Sequence, residues 1–247
     1  MRSLSTSSTV TRGLGILTLV GAGALVLFGL VLSPADEVQK DSVRLMYVHV
    51  PSAVTAYLAF GVTALGSALW LWRRTRSLFW DRLAGASAEL GVLFTGLCLL
   101  TGMLWGRPTW GVYWTWDARL TSTALLFVLF LGYLALRRVQ ADPEVRARRS
   151  AIAALIAFID VPVVHYAVDW WRTLHQGSTV STLDPKIDDL MLFSLVLGMA
   201  VFTVAYAWLV THRYRLAQLE EMVDDRRLEL AIEERRAEAE LVVGTAP

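Results

Sequence analysis

The sequence predicts an all-α, polytopic membrane protein with six transmembrane helices and both termini in the cytoplasm. Three observations lead there. The 247 residues are 55% apolar and only 18% charged, where a soluble domain carries about a quarter. Uncharged apolar stretches run for roughly 20 residues, which is what a helix needs to cross the ~30 Å hydrocarbon core of a bilayer. The basic residues, finally, crowd into alternate connecting segments. No ten-residue alternation of the kind a membrane barrel needs is present, so each span must satisfy its backbone as a helix. A soluble enzyme, a disordered chain and a disulfide-rich secreted module are thereby excluded. A net charge of +1 gives no reason to expect nucleic acid as a partner.

The spans follow in order. Residues 1–11 are rich in Ser and Thr. The apolar run 14–32 behind Arg2 and Arg12 is too long for the core of a signal peptide and lacks a small-residue cleavage pattern, so it reads as the first span. The second covers about 53–72, the third 83–104, the fourth 120–136, the fifth 151–168 and the sixth 190–210. Residues 1–211 thus form a membrane domain, and 212–247 a charged cytoplasmic tail. In that tail Leu216, Leu219 and Val223 keep helical spacing until Arg226 interrupts the stripe, which predicts a solvated helix fraying after Val242. With the N-terminus inside, the inner segments hold 17 Lys and Arg residues against 6 outside, and 11 against 6 without the tail. That bias sets the orientation.

Ten tryptophans are present, and six fall in two outer loops: Trp105, Trp110, Trp114 and Trp116 after the third span, Trp170 and Trp171 after the fifth. An aromatic belt accounts for Trp70, Trp72, Trp80 and Trp208, but a belt loads both interfaces comparably. If residues 110–117 are helical, Trp110, Trp114 and Asp117 share one face, with Gly106, Pro108 and Gly111 marking the turn into it. The result is an aromatic shelf at the membrane surface. It suits a flat, large, apolar ligand with acidic edges, which would stack on indoles and pair its carboxylates with Arg107 or Arg119.

Two of the four histidines flank the shelf at similar depth: His49 in Tyr47-Val48-His49-Val50-Pro51, and His175 in Trp170-Trp171-Arg172-Thr173-Leu174-His175-Gln176-Gly177. Two neutral imidazoles facing one another make an axial pair for haem iron. Ordinary hydrogen-bonded side chains remain the competing reading. His165 lies near the outer end of the fifth span, where Asp169 is spaced to orient it and Pro162 is expected to kink the helix and free a carbonyl. It is a candidate for support behind the ligands, as are Trp170, Trp171 and Arg172. Asp160, deeper in the span, is expected to pair within the bundle. Cys98 is the one cysteine, so there is neither a CxxC pair nor a covalent haem attachment motif, and it reads as a small buried hydrophobe. His212 lies in the basic inner flank. No phosphate-binding loop, serine elbow or HExxH motif is present.

The stretch Trp110-Gly111-Val112-Tyr113-Trp114-Thr115-Trp116-Asp117-Ala118-Arg119, with the two histidine motifs, resembles the tryptophan-rich haem-handling membrane proteins of cytochrome c biogenesis, and among them the CcmC branch. The resemblance covers about residues 43–210. It implies that haem b is held transiently and without covalent attachment, at the periplasmic face of the bacterial inner membrane. His49 and His175 would be the axial ligands. Trp110, Gly111, Trp114, Trp116 and Asp117 would form the platform, and Arg119 would lie near a propionate. Implied partners are the periplasmic haem chaperone CcmE, the ABC-type subunits CcmA and CcmB, and the single-span CcmD. Asp160 departs from the small polar residue that the family pattern implies. Two alternatives stand beside this. One is a haem lyase acting on apocytochrome c, an enzyme, although such synthases are larger and carry more histidines. The other is a structural subunit with a heavy outer aromatic belt.

Overall fold

Apolar runs with small residues at helical spacing produce the architecture of the chain, which we describe from a computed structural model covering residues 8–139, 142–175 and 187–244. Arg2, Gln176, Gly177, Lys186 and the last three residues lie outside the described residues. The order is α1 (Thr9–Leu25), a π-helical continuation (Val26–Leu32), a 3-10 turn (Asp41–Leu45) leading into α2 (Met46–Leu71), α3 (Leu78–Trp110), α4 (Ala118–Arg138), α5 (Pro143–Phe158), α6 (Asp160–Trp170) and α7 (Asp189–Gly244). Among the described residues there is no strand. Six helical segments are long and apolar enough to cross a membrane, α5 and α6 together making one of them. The six-span all-α expectation is met.

Local chemistry explains the boundaries. Ser8, Asp117 and Asp142 cap α1, α4 and α5 by accepting backbone N–H bonds, satisfying donors that a helix start leaves free. The fifth span is broken between Phe158 and Asp160. The ring of Pro162 would clash with the carbonyl four residues back, at Phe158, and it offers that carbonyl no N–H. The kink therefore falls one turn before the proline. The sixth span does not stop at the membrane edge: α7 continues unbroken through His212 into the charged tail.

Alanines at the helix contacts let the backbones approach closely. Ala56, Ala59, Ala88, Ala154 and Ala157 are buried around Phe60 and Phe130, whose rings stack at 3.8 Å. Ser87 of α3 donates to the Ala59 carbonyl of α2 and shares a hydrogen bond with Tyr206 of α7, both at 2.7 Å. α2 and α3 pair most extensively, α1 lies against α7, and α6 packs on α4. Ile16, Leu17, Leu19 and Val20 of α1 are exposed, as a lipid-facing surface requires.

The two ends of the bundle differ. At one end Asp81, buried, takes a bidentate bond from Arg137 at 2.6 and 3.1 Å, with Arg146 at 3.9 Å. Glu221 of α7 joins the same group through Arg82 at 2.6 Å and Arg146 at 3.4 Å, so the first turns of the tail are tied to the bundle. The other end carries the segment 33–45, the loop 111–117 and the loop 171–175, and there the histidines and tryptophans meet.

Candidate functional site

A cavity of about 770 Å³ opens at the aromatic end, within the range of small-ligand sites. His49, His165 and His175 line it, together with Trp105, Trp110, Trp114 and Arg119. Trp114 and His175, which stand 65 and 126 positions after His49, are thus gathered with it in one chamber by α2, the end of α3, the start of α4 and the loop after α6.

The wall is built on α3. Cys98, Gly102, Trp105 and Thr109 recur at intervals of four, three and four, which places them on one helix face. Cys98, Gly102 and Thr109 are small and leave room beside the helix. His49, one turn into α2, points its Nδ1 at the Cys98 carbonyl, 3.0 Å away, and at Thr101 Oγ1, 3.2 Å away. A carbonyl only accepts, so Nδ1 carries the proton and Nε2 keeps the lone pair. The ring lies edge-to-face with Trp105 at 5.7 Å and against Gly102, where an added Cβ would come within 2.9 Å of its Cε1. Trp105 is held in turn, its Nε1 donating to Gln39 Oε1 at 2.6 Å. Gln39 is placed by Asp36, whose Oδ1 accepts the N–H groups of Val38 and Gln39.

The expected surface helix over 110–117 is not there. α3 runs on through Gly106 and Pro108 to Trp110 and stops at Gly111, whose φ of +80° only glycine adopts freely. Residues 111–117 are extended loop. Trp110 and Trp114 still line the cavity, but Trp116 does not: it is 79% exposed and meets Trp114 edge-on at 5.5 Å. Gly111 likewise acts as a stop and lines nothing. Arg107 turns away to the Gly111 carbonyl and the face of Tyr113.

Asp117 works as a tie. One carboxylate oxygen caps α4 through Leu120 N–H at 2.8 Å, and the other accepts Leu174 N–H at 3.0 Å. The loop bearing His175 is thereby fastened to the α4 N-terminus. His175 packs edge-on to Trp110 at 4.8 Å, and its Nδ1 is buried without a hydrogen-bond partner among the described residues. Burial, then the positive Arg119 and the second imidazole of His49, hold its pKa down at about 4, against a smaller opposing pull from Asp117. At neutral pH the ring is uncharged, the form that binds metal.

Arg119 brings a cation into the chamber. Nη2 donates to the His165 carbonyl at 2.9 Å, while Nε is buried and unbonded, and no carboxylate pairs with it among the described residues. The Trp114 Nε1 is buried and unbonded as well. Two orphaned donors on one wall mark where an acidic group would be welcome. His165 is exposed toward the cavity, edge-on to Tyr57 at 6.2 Å, and no hydrogen bond joins it to Asp169 among the described residues. Asp160 shows no ion pair there either, and its buried Oδ2 has no partner. Trp170, Trp171 and Arg172 are exposed and lie off the cavity wall, Trp170 stacking on Tyr166. Reading the sequence had put Trp105 in the outer tryptophan cluster but not in the site, and had missed the parts of Gln39, Tyr57 and the Cys98 carbonyl. The signal available for the first and last was the stripe of small residues along the third span.

Comparison with known proteins points the same way. The family model described as heme exporter protein C matches residues 1–229. The chain is 39% identical over 206 residues to the heme exporter protein C of Haemophilus influenzae, covering 83% of each chain. Against that of Bradyrhizobium diazoefficiens it is 40% identical over 188 residues, covering 75% of this chain and 70% of the relative. Against that of Escherichia coli K12 it is 36% identical over 192 residues, covering 76% of each. An all-α bundle of six spans, the tryptophan-rich loop and extended identity at this level leave one assignment: the chain belongs to the heme exporter protein C family, CcmC.

Proposed function

We propose that this chain binds haem b, transiently and without covalent attachment, in the cavity at the aromatic end, and presents it to the periplasmic chaperone CcmE for cytochrome c maturation. His49 and His175 are the axial ligands. Trp110 and Trp114 contact the macrocycle, and Arg119 with the Trp114 indole N–H receives a propionate. Asp117 serves the platform from behind, as a tie.

One observation carries the reading: two neutral imidazoles and an unpaired arginine converge on a single cavity with an indole wall. Among the described residues no cluster of three or more His, Cys, Asp or Glu side chains could hold a bare metal ion. Two histidines alone suit an iron that brings its own equatorial ligands, as a porphyrin does. The names of the relatives, heme exporter protein C, agree with that occupant. The arginine bias supports an aromatic end on the periplasmic side of the inner membrane, with both termini cytoplasmic. No nucleotide-binding motif is in the chain, so energy for the transfer enters through CcmA and CcmB, with CcmD as the small accessory span. The chain is read as a handling subunit, not as a lyase.

Detergent-purified protein should show the low-spin spectrum of bis-histidine haem. A His49→Ala, His175→Ala double variant that keeps its haem and still loads the chaperone would refute the assignment. Thioether formation with an apocytochrome CxxCH peptide would favour the lyase.

A further inference from the structure

We propose that the two histidines are unequal, His49 being the anchoring ligand and His175 the exchangeable one, with Asp117 as the residue that positions His175. The inference rests on the haem reading above. His49 stands on α2 inside the bundle, its Nδ1–H donated to the Cys98 carbonyl at 3.0 Å with Thr101 Oγ1 beside it. That bond fixes the tautomer, fixes the ring plane and makes Nε2 the better donor to iron. Trp105 and Gly102 flank the ring, which is held between α2 and α3.

His175 has the edge of Trp110 against it at 4.8 Å but no fixed hydrogen bond among the described residues. It stands on the loop 171–175 between α6 and α7, not on a helix. Its Nδ1 meets no acceptor among the described residues, so nothing there polarises the ring toward the metal. The Thr173 hydroxyl donates to the carbonyl of His175 itself, a bond internal to the loop. The side-chain tie that reaches the bundle from this loop is Asp117 Oδ2 to Leu174 N–H, at 3.0 Å. A site that must release its cargo is served by one firm ligand and one loose one. In the exchange step the dative bond from His175 to iron breaks and its electron pair returns to the imidazole. An incoming neutral nitrogen donor from the acceptor protein supplies its own pair to the vacated position. Iron keeps its charge and no proton moves.

Carbon monoxide tests this, because it binds ferrous haem only when one axial ligand has left. In the haem-loaded, reduced wild type, CO binding is limited by loss of His175. His175→Ala should retain at least about half of the haem and bind CO without that limit. His49→Ala should lose haem about tenfold or more, at least the effect of removing a group that merely supports a ligand. Asp117→Ala should speed CO binding several-fold, with Asp117→Asn, which keeps one acceptor oxygen, recovering part of the difference. Should His49→Ala fail to accumulate in the membrane, Gly102→Ala takes its place, both histidines being present. Equal haem loss in the two histidine variants, the reverse order, or a wild-type CO rate in Asp117→Ala would overturn the inference and leave the haem reading intact. A wild type without a bis-histidine spectrum would overturn both.

Discussion

The sharpest perturbation of this site leaves every polar group in place. Gly102→Ala adds one methyl group to α3. Its Cβ would lie 2.9 Å from His49 Cε1 and 3.4 Å from Nδ1, whereas carbon atoms rest at about 3.5–4.0 Å. The ring must retreat by roughly 0.6 Å or more to reach that separation. A retreat of that size along the bond takes Nδ1 from 3.0 Å to about 3.6 Å from the Cys98 carbonyl, where the bond no longer exists. Losing it costs about 1 kcal/mol, and loss of a group that orients a metal ligand costs about 10–100-fold in metal affinity. We therefore expect haem release to a soluble acceptor such as apomyoglobin to accelerate about tenfold or more. The fold moves the other way, since alanine replaces glycine inside a helix and adds up to about 1 kcal/mol. Weaker haem binding without a lower melting temperature is the signature. Gly132→Ala is the internal control: nothing lies within 4 Å of the added atom, so haem retention should not change. The reasoning fails if Gly102→Ala releases haem at the wild-type rate.

Three further expectations follow from the same geometry. Arg119→Gln should weaken haem with free propionates about tenfold, the worth of one charge-assisted bond, and leave haem dimethyl ester unaffected; equal loss of both would show that the guanidinium only packs. Gly91→Ala drives a methyl group into the ring of Phe60, the ring that stacks on Phe130, and should destabilise the bundle by about 1–3 kcal/mol in detergent unfolding. Arg137→Ala strands the buried Asp81, with only Arg146 at 3.9 Å in reserve, and should cost about 3 kcal/mol. Combining Asp81→Asn with Arg137→Gln should restore most of that, and a double variant as unstable as the single one would contradict the pairing.

Much of the fold was legible because a bilayer imposes a coarse rule. Twenty uncharged apolar residues have one good conformation in lipid, and all six spans could be read from that. The break near Pro162 was equally readable, since the clash it creates has a fixed offset. What failed was local and short. Pro108 looked like a helix stop, yet α3 absorbs it and Gly111 alone ends the helix, because a left-handed φ is needed there. That shift removed the expected shelf and turned Trp116 outward. Histidine depth and side were visible from span order; which nitrogen of His49 is bonded was not, because it depends on a backbone carbonyl 49 residues away. Asp117 was legible as part of a motif but not as a tie, for its partner is a main-chain N–H that no residue pattern encodes. Asp160 stays buried with one carboxylate oxygen unbonded among the described residues, and nothing in the structure explains it.

The crowding of indoles around the cavity has an optical consequence. Trp105, Trp110 and Trp114 line it, with Trp116, Trp170 and Trp171 at the same end, so six of the ten indoles of this chain lie at the end that carries the cavity. An iron porphyrin absorbs where indole emits and drains that emission by energy transfer. Loading and unloading of the chamber can therefore be followed in real time by intrinsic fluorescence, with no label attached to the protein.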